Sequence, residues 1–459
     1  NLFGSPTFTD CTFQDNLAVF GGGMYNQQGS SPTVTGCSFT GNTATTAAGG
    51  MENFFQSNPI LTECTFTGNA APFGGGLRCI EQCDPVLTDC TFSNNTAVSA
   101  GGGIGIATGS NPTLVNCTFT SNDSPFGGGL RCTGDCDPML TDCVFTSNTA
   151  GERGGGISLA DGSGATLDGC TFTSNTAIVG GGLGCSEGTR ATLTGCSFTE
   201  NSAVSTNSPP VANGRGGGIG TEGAMSSLLL TDCSFTANSG TSGAAADVLL
   251  DEAIFTRCSF NDHEVPSSFV AGTVVELGVG SNEPARFVEC SFRDNLVQGT
   301  VPGYRGATLR FFGDMSLEGC TFATNESFSI VESIATIDYL ASFSMTGCLF
   351  DGNTTSTPGC VVKGAADQCT ISDCVFRSNY GPSMLVGTVL QAPRNQSTIT
   401  NCTFEGNSGG PQLFLYNSET TVESAIAQGN SDEVFGIGFA STYVGDANVL
   451  TIRDSQIAD

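Results

Sequence analysis

Cys11-Thr12-Phe13-Gln14-Asp15-Asn16 near the start of the chain returns as Cys90-Thr91-Phe92-Ser93-Asn94-Asn95 and as Cys117-Thr118-Phe119-Thr120-Ser121-Asn122. Close to the end it reads Cys402-Thr403-Phe404-Glu405-Gly406-Asn407. Between these, Cys-x-Phe-x-x-Asn also stands at Cys37, Cys64, Cys143, Cys170, Cys196, Cys233, Cys258, Cys290, Cys320, Cys348 and Cys374, with His263 replacing Asn in one copy. The first eight copies alternate spacings of 26 and 27 residues. An internal period of this length marks a solenoid, in which no single unit can bury its own apolar face.

Two further blocks complete each unit. A glycine run followed by an aliphatic residue reads Gly21-Gly22-Gly23-Met24, Gly74-Gly75-Gly76-Leu77 and Gly101-Gly102-Gly103-Ile104, and continues to Gly216–Ile219. A Pro-led block precedes each Cys, as in Pro32-Thr33-Val34-Thr35 and Pro112-Thr113-Leu114-Val115. The unit therefore holds three short β-type segments separated by Asn or Gly turns, and nothing of helical period. Cys and Phe lie two apart and share one face of a strand, which must be the inner one. The aliphatic three residues before Cys has the opposite parity, so a corner falls near the residue before Cys. Three strands and three corners in such a unit describe one coil of a parallel β-helix. Stacked coils bring Phe onto Phe, Leu onto Leu and Asn onto Asn, the last as an amide ladder. The motif Asn is also suited to the left-handed backbone of a corner. The glycines supply positive φ or close backbone approach at another.

The expected fold is all-β, a single-stranded parallel β-helix of about 16–17 coils of roughly 26–27 residues. Residues 1–220 read as regular coils and 221–407 as a continuation with irregular loops, since the glycine triplets stop after Gly218. Residues 408–459 read as degenerate terminal coils, with Ala425, Ala427 and Asn430 at the Cys, Phe and Asn phases.

The alternating Phe-x-x-Asn and Gly-Gly-aliphatic motifs resemble the chlamydial polymorphic outer membrane protein repeat, closely over about residues 1–220 and through Phe-x-x-Asn alone to about 407. The family's Gly-Gly-Ala-aliphatic tetrad is here mostly Gly-Gly-Gly-aliphatic. The resemblance implies a right-handed β-helix, secretion and a role in surface adhesion.

A net charge of −29 with 14 Lys and Arg excludes a nucleic-acid binder and docking on anionic lipid. No run of 18 apolar residues exists to span a membrane. The chain starts at Asn1 partway through a repeat, and a signal peptide is expected upstream. Twenty-two cysteines suggest an oxidising compartment. The motif cysteines are read as inward, reduced thiols. Cys79 with Cys83, its recurrence Cys132 with Cys136, and Cys360 with Cys369 are read as local disulfides. Cys185 lacks a partner and is either free or available to another chain.

Sequons at Asn94, Asn116, Asn395 and Asn401 are candidate glycan sites, whereas Asn122, Asn325 and Asn353 are ladder residues facing inward. The structural ladder is exemplified by Cys90, Phe92, Asn95, Cys117, Phe119 and Asn122. His263 is read as a substitute in that ladder. Acidic residues before Cys, among them Asp89 and Asp142, make Ca²⁺ the one cofactor to consider, although two coils separate these two by about 10 Å. Arg78 and Arg131 recur at one phase and are read as repeat inheritance. No catalytic constellation or metal centre stands out. The function read from the sequence is that of a non-enzymatic extracellular rod, a subunit of a filament, appendage or surface layer with an adhesive capacity. It would self-associate end to end or join other surface proteins. The alternatives are a polysaccharide-binding or polysaccharide-cleaving β-helix and an autotransporter-type passenger.

Overall fold

The computed structural model describes residues 1–204, 214–265, 272–279, 284–298, 306–334, 342–364, 368–381, 385–387, 395–409, 413–415, 418–430, 435–437 and 449–457. The chain is a right-handed parallel β-solenoid without helices among these residues. It divides into two units, Asn1–Val248 and Leu249–Asp459.

In the first unit a coil has four strands, not the three expected. One coil runs Val86–Thr88, Thr91–Ser93, Thr96–Ala100 and Ile104–Ala107. The additional strand is the stretch between the motif Asn and the glycine run. It forms because the chain turns at Asn94 (φ 54°) and again at Gly101 (φ 71°), leaving an extended segment whose small Ala97 faces inward. The Phe strand recurs nine times in this unit and eight times in the second.

Pairing is in parallel register, so like meets like. Phe92 pairs with Phe66 and Phe119, and Leu87 with Leu61 and Leu114. The Phe rings form a file with centroids 4.7 Å apart for Phe66–Phe92 and 5.0 Å for Phe92–Phe119, planes nearly parallel. Coil spacing dictates that separation. Each ring is fully buried, and burying a Phe is worth about 1.5–3 kcal/mol, so this file is the main source of cohesion along the axis.

The Asn file is the polar counterpart. Asn95 donates its Nδ2 to Asn122 Oδ1 (3.0 Å) and to the Phe66 carbonyl (2.9 Å), and its backbone N–H also reaches Asn122 Oδ1 (3.0 Å). Every carboxamide is thus satisfied inside the core, the condition for burying it without penalty. Left-handed backbone lies one residue earlier than the motif Asn: Asn94, Ser121 and Ser147 carry it, and so do Asp89, Asn116 and Asp142 before Cys. The motif Asn is spared that conformation because its side chain must point inward. The glycine triplet divides its two roles. Gly101 has the positive φ, while a Cβ on Gly102 or Gly103 would lie 2.5 Å from the carbonyl oxygen of Gly128 or Gly129 in the next coil.

The second unit keeps the same files. Phe292, Phe322, Phe350 and Phe376 stack at 4.6, 4.8 and 4.9 Å, and the Asn file runs through Asn325, Asn353, Asn379 and Asn407 to Asn430. Ala427 pairs with Phe404 on one side and Ile457 on the other.

Candidate functional site: an arginine row on the first unit

The inner positions are consumed by cohesion, so chemistry must come from outward ones. Along the glycine face, the outward residues in successive coils are Tyr25, Glu52, Arg78, Gly105, Arg131 and Ser158. A second row follows the preceding strand, across the glycine turn: Phe20, Ala47, Phe73, Ala100, Phe126 and Arg153. The side-chain-free triplet lets the chain turn tightly, and the two rows face one another across it. The Arg78 guanidinium lies 5.4 Å from the Phe73 ring centroid. Those of Arg131 and Arg153 lie 4.8 and 5.6 Å from that of Phe126.

The arrangement repeats in alternate coils. Phe73 with Arg78 and Phe126 with Arg131 are two coils apart, and the rung between them carries only Ala100 and Gly105. Neither residue of that rung carries more than a methyl group; Gly105 is buried, and a Cβ there would lie 3.3 Å from the Gly74 nitrogen.

The charges are unequally matched. Arg78 Nη1 donates to Glu52 Oε1 at 3.1 Å, and Arg153 pairs with Glu222. Arg131 has no ion pair among the described residues. Its Nη1 donates to Ser158 Oγ at 3.1 Å, and its Nε is buried without a partner. Burial, and secondarily Arg153, lowers its pKa to about 10, so it remains charged at neutral pH. Glu52 points outward yet its side chain is only 2% exposed, and Oε2 has no partner. Burial raises its carboxyl to about 7 against the opposing pull of Arg78.

The family scan matches the model described as "Right handed beta helix region" over residues 2–137, 128–301 and 338–459. The chain belongs to the right-handed β-helix family. No curated protein matches the sequence. Among solved structures, a mannuronic-acid-specific polysaccharide family 6 lyase from human gut microbiota is 8% identical, with a TM-score of 0.31 over 94% of this chain and 83% of that one. The periplasmic alginate epimerase AlgG is 9% identical, with a TM-score of 0.28 over 94% of this chain and 77% of that one. At such scores these likenesses say nothing of what the present β-helix binds.

The residues singled out by sequence fall in several places. Cys90, Phe92, Asn95, Cys117, Phe119 and Asn122 are buried in their files. His263 is buried in the Asn file of the second unit, with its ring beside Asn295. Asn94, Asn116 and Asn401 are exposed, Asn116 and Asn401 donating to Asp89 and Asp373. Asn122, Asn325 and Asn353 are buried, and the side chain of Asn395 lies outside the described residues. The acidic column before Cys occupies left-handed corner positions. Among the described residues, no three His, Cys, Asp or Glu side chains gather to hold a metal.

Cys79, Cys83, Cys132 and Cys136 are buried, and the structure forms no bond between them, although the Cys132 and Cys136 side chains lie within hydrogen-bond reach of one another. Members of each pair belong to different files. Cys83 Sγ donates to the Ile80 carbonyl (3.1 Å) and Cys136 Sγ to that of Thr133 (3.2 Å). Ser30, Ser57 and Ser110 make the same bond in their coils. Cys132 instead pairs with Ile106 and Leu159 in an apolar file. Cys185 is fully buried, its thiol raised to about 12 by desolvation, and so is not presented to another chain. Cys369 is a buried thiol, and the side chain of Cys360 lies outside the described residues.

Arg78 and Arg131 each stack on a ring of their own coil. The partners that sequence reading missed are Phe73, Phe126, Glu52 and Arg153. A signal was available: Phe73-Gly74-Gly75-Gly76-Leu77-Arg78 recurs unchanged as Phe126-Gly127-Gly128-Gly129-Leu130-Arg131.

Proposed function

We propose that the protein is a non-catalytic β-helical scaffold working outside the cell, adhering to a polysaccharide laid along the arginine row of the first unit. The observation that carries this reading is the pairing of a ring with a guanidinium in alternate coils, Phe73 with Arg78 and Phe126 with Arg131. Aromatic faces accept the apolar faces of sugar rings, and guanidinium forks take their polar edges. A site repeated along the axis suits a linear polymer better than a compact small molecule. Adhesion is also what the polymorphic outer membrane protein resemblance implies, and the sequons and cysteine content support secretion.

The test is retention of the purified protein on a panel of immobilised polysaccharides, with released oligosaccharide measured in the same wells. Retention without release is expected. Failure to bind any polysaccharide would overturn the reading.

Glu52 favours a second reading. A carboxyl raised to about 7 beside an arginine has the properties of a general acid, and release of oligosaccharide that Glu52→Gln abolishes would establish cleavage instead of adhesion.

A further inference from the structure

We infer that the rung of Ala100 and Gly105, between the Phe73–Arg78 and Phe126–Arg131 stacks, is a subsite for one anionic sugar unit, whose acidic group is held by Arg131. The inference rests on the adhesive reading above and narrows it to one ligand chemistry and one residue.

Three observations point the same way. The first is shape. Arg78 and Arg131 are two coils apart, about 9.6 Å at the usual strand spacing, with only a methyl group and a glycine between them. That separation is of the order of one sugar ring flanked by its linkages. The second is charge. In a chain of net charge −29, Arg131 is held charged and half-buried with no carboxylate in direct contact among the described residues, Asp161 and Glu152 acting on it only from a distance. Nη1 is committed to Ser158 and Nε is buried without a partner, while Nη2 makes no hydrogen bond among the described residues. Burying a cation unpaired is costly, and an incoming anion removes that cost. The third is asymmetry. Arg78 already has Glu52 and Arg153 has Glu222, so the row takes one acidic group here and not two. Phe73, 42% exposed at the edge of the gap, supplies the apolar wall.

A carboxylate and a sulfate both fit a guanidinium fork, so the experiment separates them. Isothermal titration calorimetry would use the whole chain with oligogalacturonate, the same oligosaccharide after carboxyl reduction, and a sulfated galactan oligosaccharide. Wild type is expected to bind at least one acidic oligosaccharide at least tenfold more tightly than the neutral one, with an affinity that falls as salt rises. Arg131→Ala should lose that preference while circular dichroism stays unchanged. Arg131→Lys, which keeps the charge without the fork, should recover it in part.

Equal binding of acidic and neutral oligosaccharides by wild type would overturn the subsite and leave the adhesive reading standing. Retention of the preference in Arg131→Ala would do the same. Failure of every oligosaccharide to bind would overturn the subsite, and the adhesive reading falls with it only if the polysaccharide panel also fails to retain the protein. The carboxylate arm against the sulfate arm then names the acid.

Discussion

His263 stands in the Asn file of the second unit, and its Nδ1 lies 2.9 Å from Oδ1 of Asn295 in the next coil. The backbone N–H of His263 donates to the same oxygen at 3.1 Å, so that oxygen is an acceptor and Nδ1 carries the ring proton. Burial holds the imidazole pKa down at about 4, opposed by the Asn295 contact. The unfolded chain takes up a proton near pH 6.5. Stability from the neutral ring is therefore complete above pH 6.5 and is lost as pH falls towards 4, by about 3 kcal/mol in all. His263→Asn restores the amide and should remove this acid sensitivity. Denaturant midpoints at pH 7 and pH 4.5 measure it; an equal acid loss in the variant would exclude the ring as its source.

Glu52 gives the opposite slope in the first unit. Its folded pKa of about 7 lies above the ordinary value of 4.5. Between these values the folded chain holds a proton that the unfolded chain has released, so stability declines as pH rises from 4.5 to 7. The expected decline is about 3 kcal/mol. Glu52→Gln should flatten the profile and be the more stable form at pH 8. An unchanged profile would mean that the Arg78 contact keeps Glu52 ionised throughout.

Cys132 and Cys136 should respond differently to serine. Cys136 makes the bond that Ser110 makes one coil earlier, so Cys136→Ser is expected to change stability by less than about 0.5 kcal/mol. Cys132 sits between Ile106 and Leu159, its thiol donating to the Cys136 carbonyl at 3.5 Å, so a smaller and more polar serine costs about 1–3 kcal/mol. A disulfide between them would make both substitutions equally costly. Thermal unfolding of the two variants, with thiol titration in denaturant, distinguishes these outcomes.

The sequons separate by phase. Produced in a eukaryotic secretory host, the protein should carry glycan at Asn94 and Asn116, which are exposed, and none at Asn122, which is buried in the ladder. Peptide mass spectrometry reads this directly. Asn122→Ala strips Asn95 of the acceptor for both its N–H and its Nδ2, and leaves the Phe92 carbonyl without its donor. The expected loss is about 2–4 kcal/mol; a glycan found on Asn122 would contradict the ladder itself.

The repeat alone determined that the chain coils, that Phe, Cys and Asn face inward, and that a corner precedes Cys. Each follows from a two-residue strand period meeting a fixed coil length, which leaves one register able to bury Phe on Phe. Even the worn copy at Ala427 could be placed by counting. Tertiary structure decided what depends on neighbouring coils and on the path between strands. The fourth strand, Thr96–Ala100, arises from two adjacent left-handed turns. The separate surroundings of Cys79 and Cys83 follow from membership of different files. The arginine row exists because a tight glycine turn brings Phe126 under Arg131, and because Glu52 pairs directly with Arg78 in one coil while no carboxylate among the described residues pairs with Arg131 in another. A sequence period assigns each side chain a face; which outward side chains meet, and which charge is left unmatched, depends on the curvature between faces.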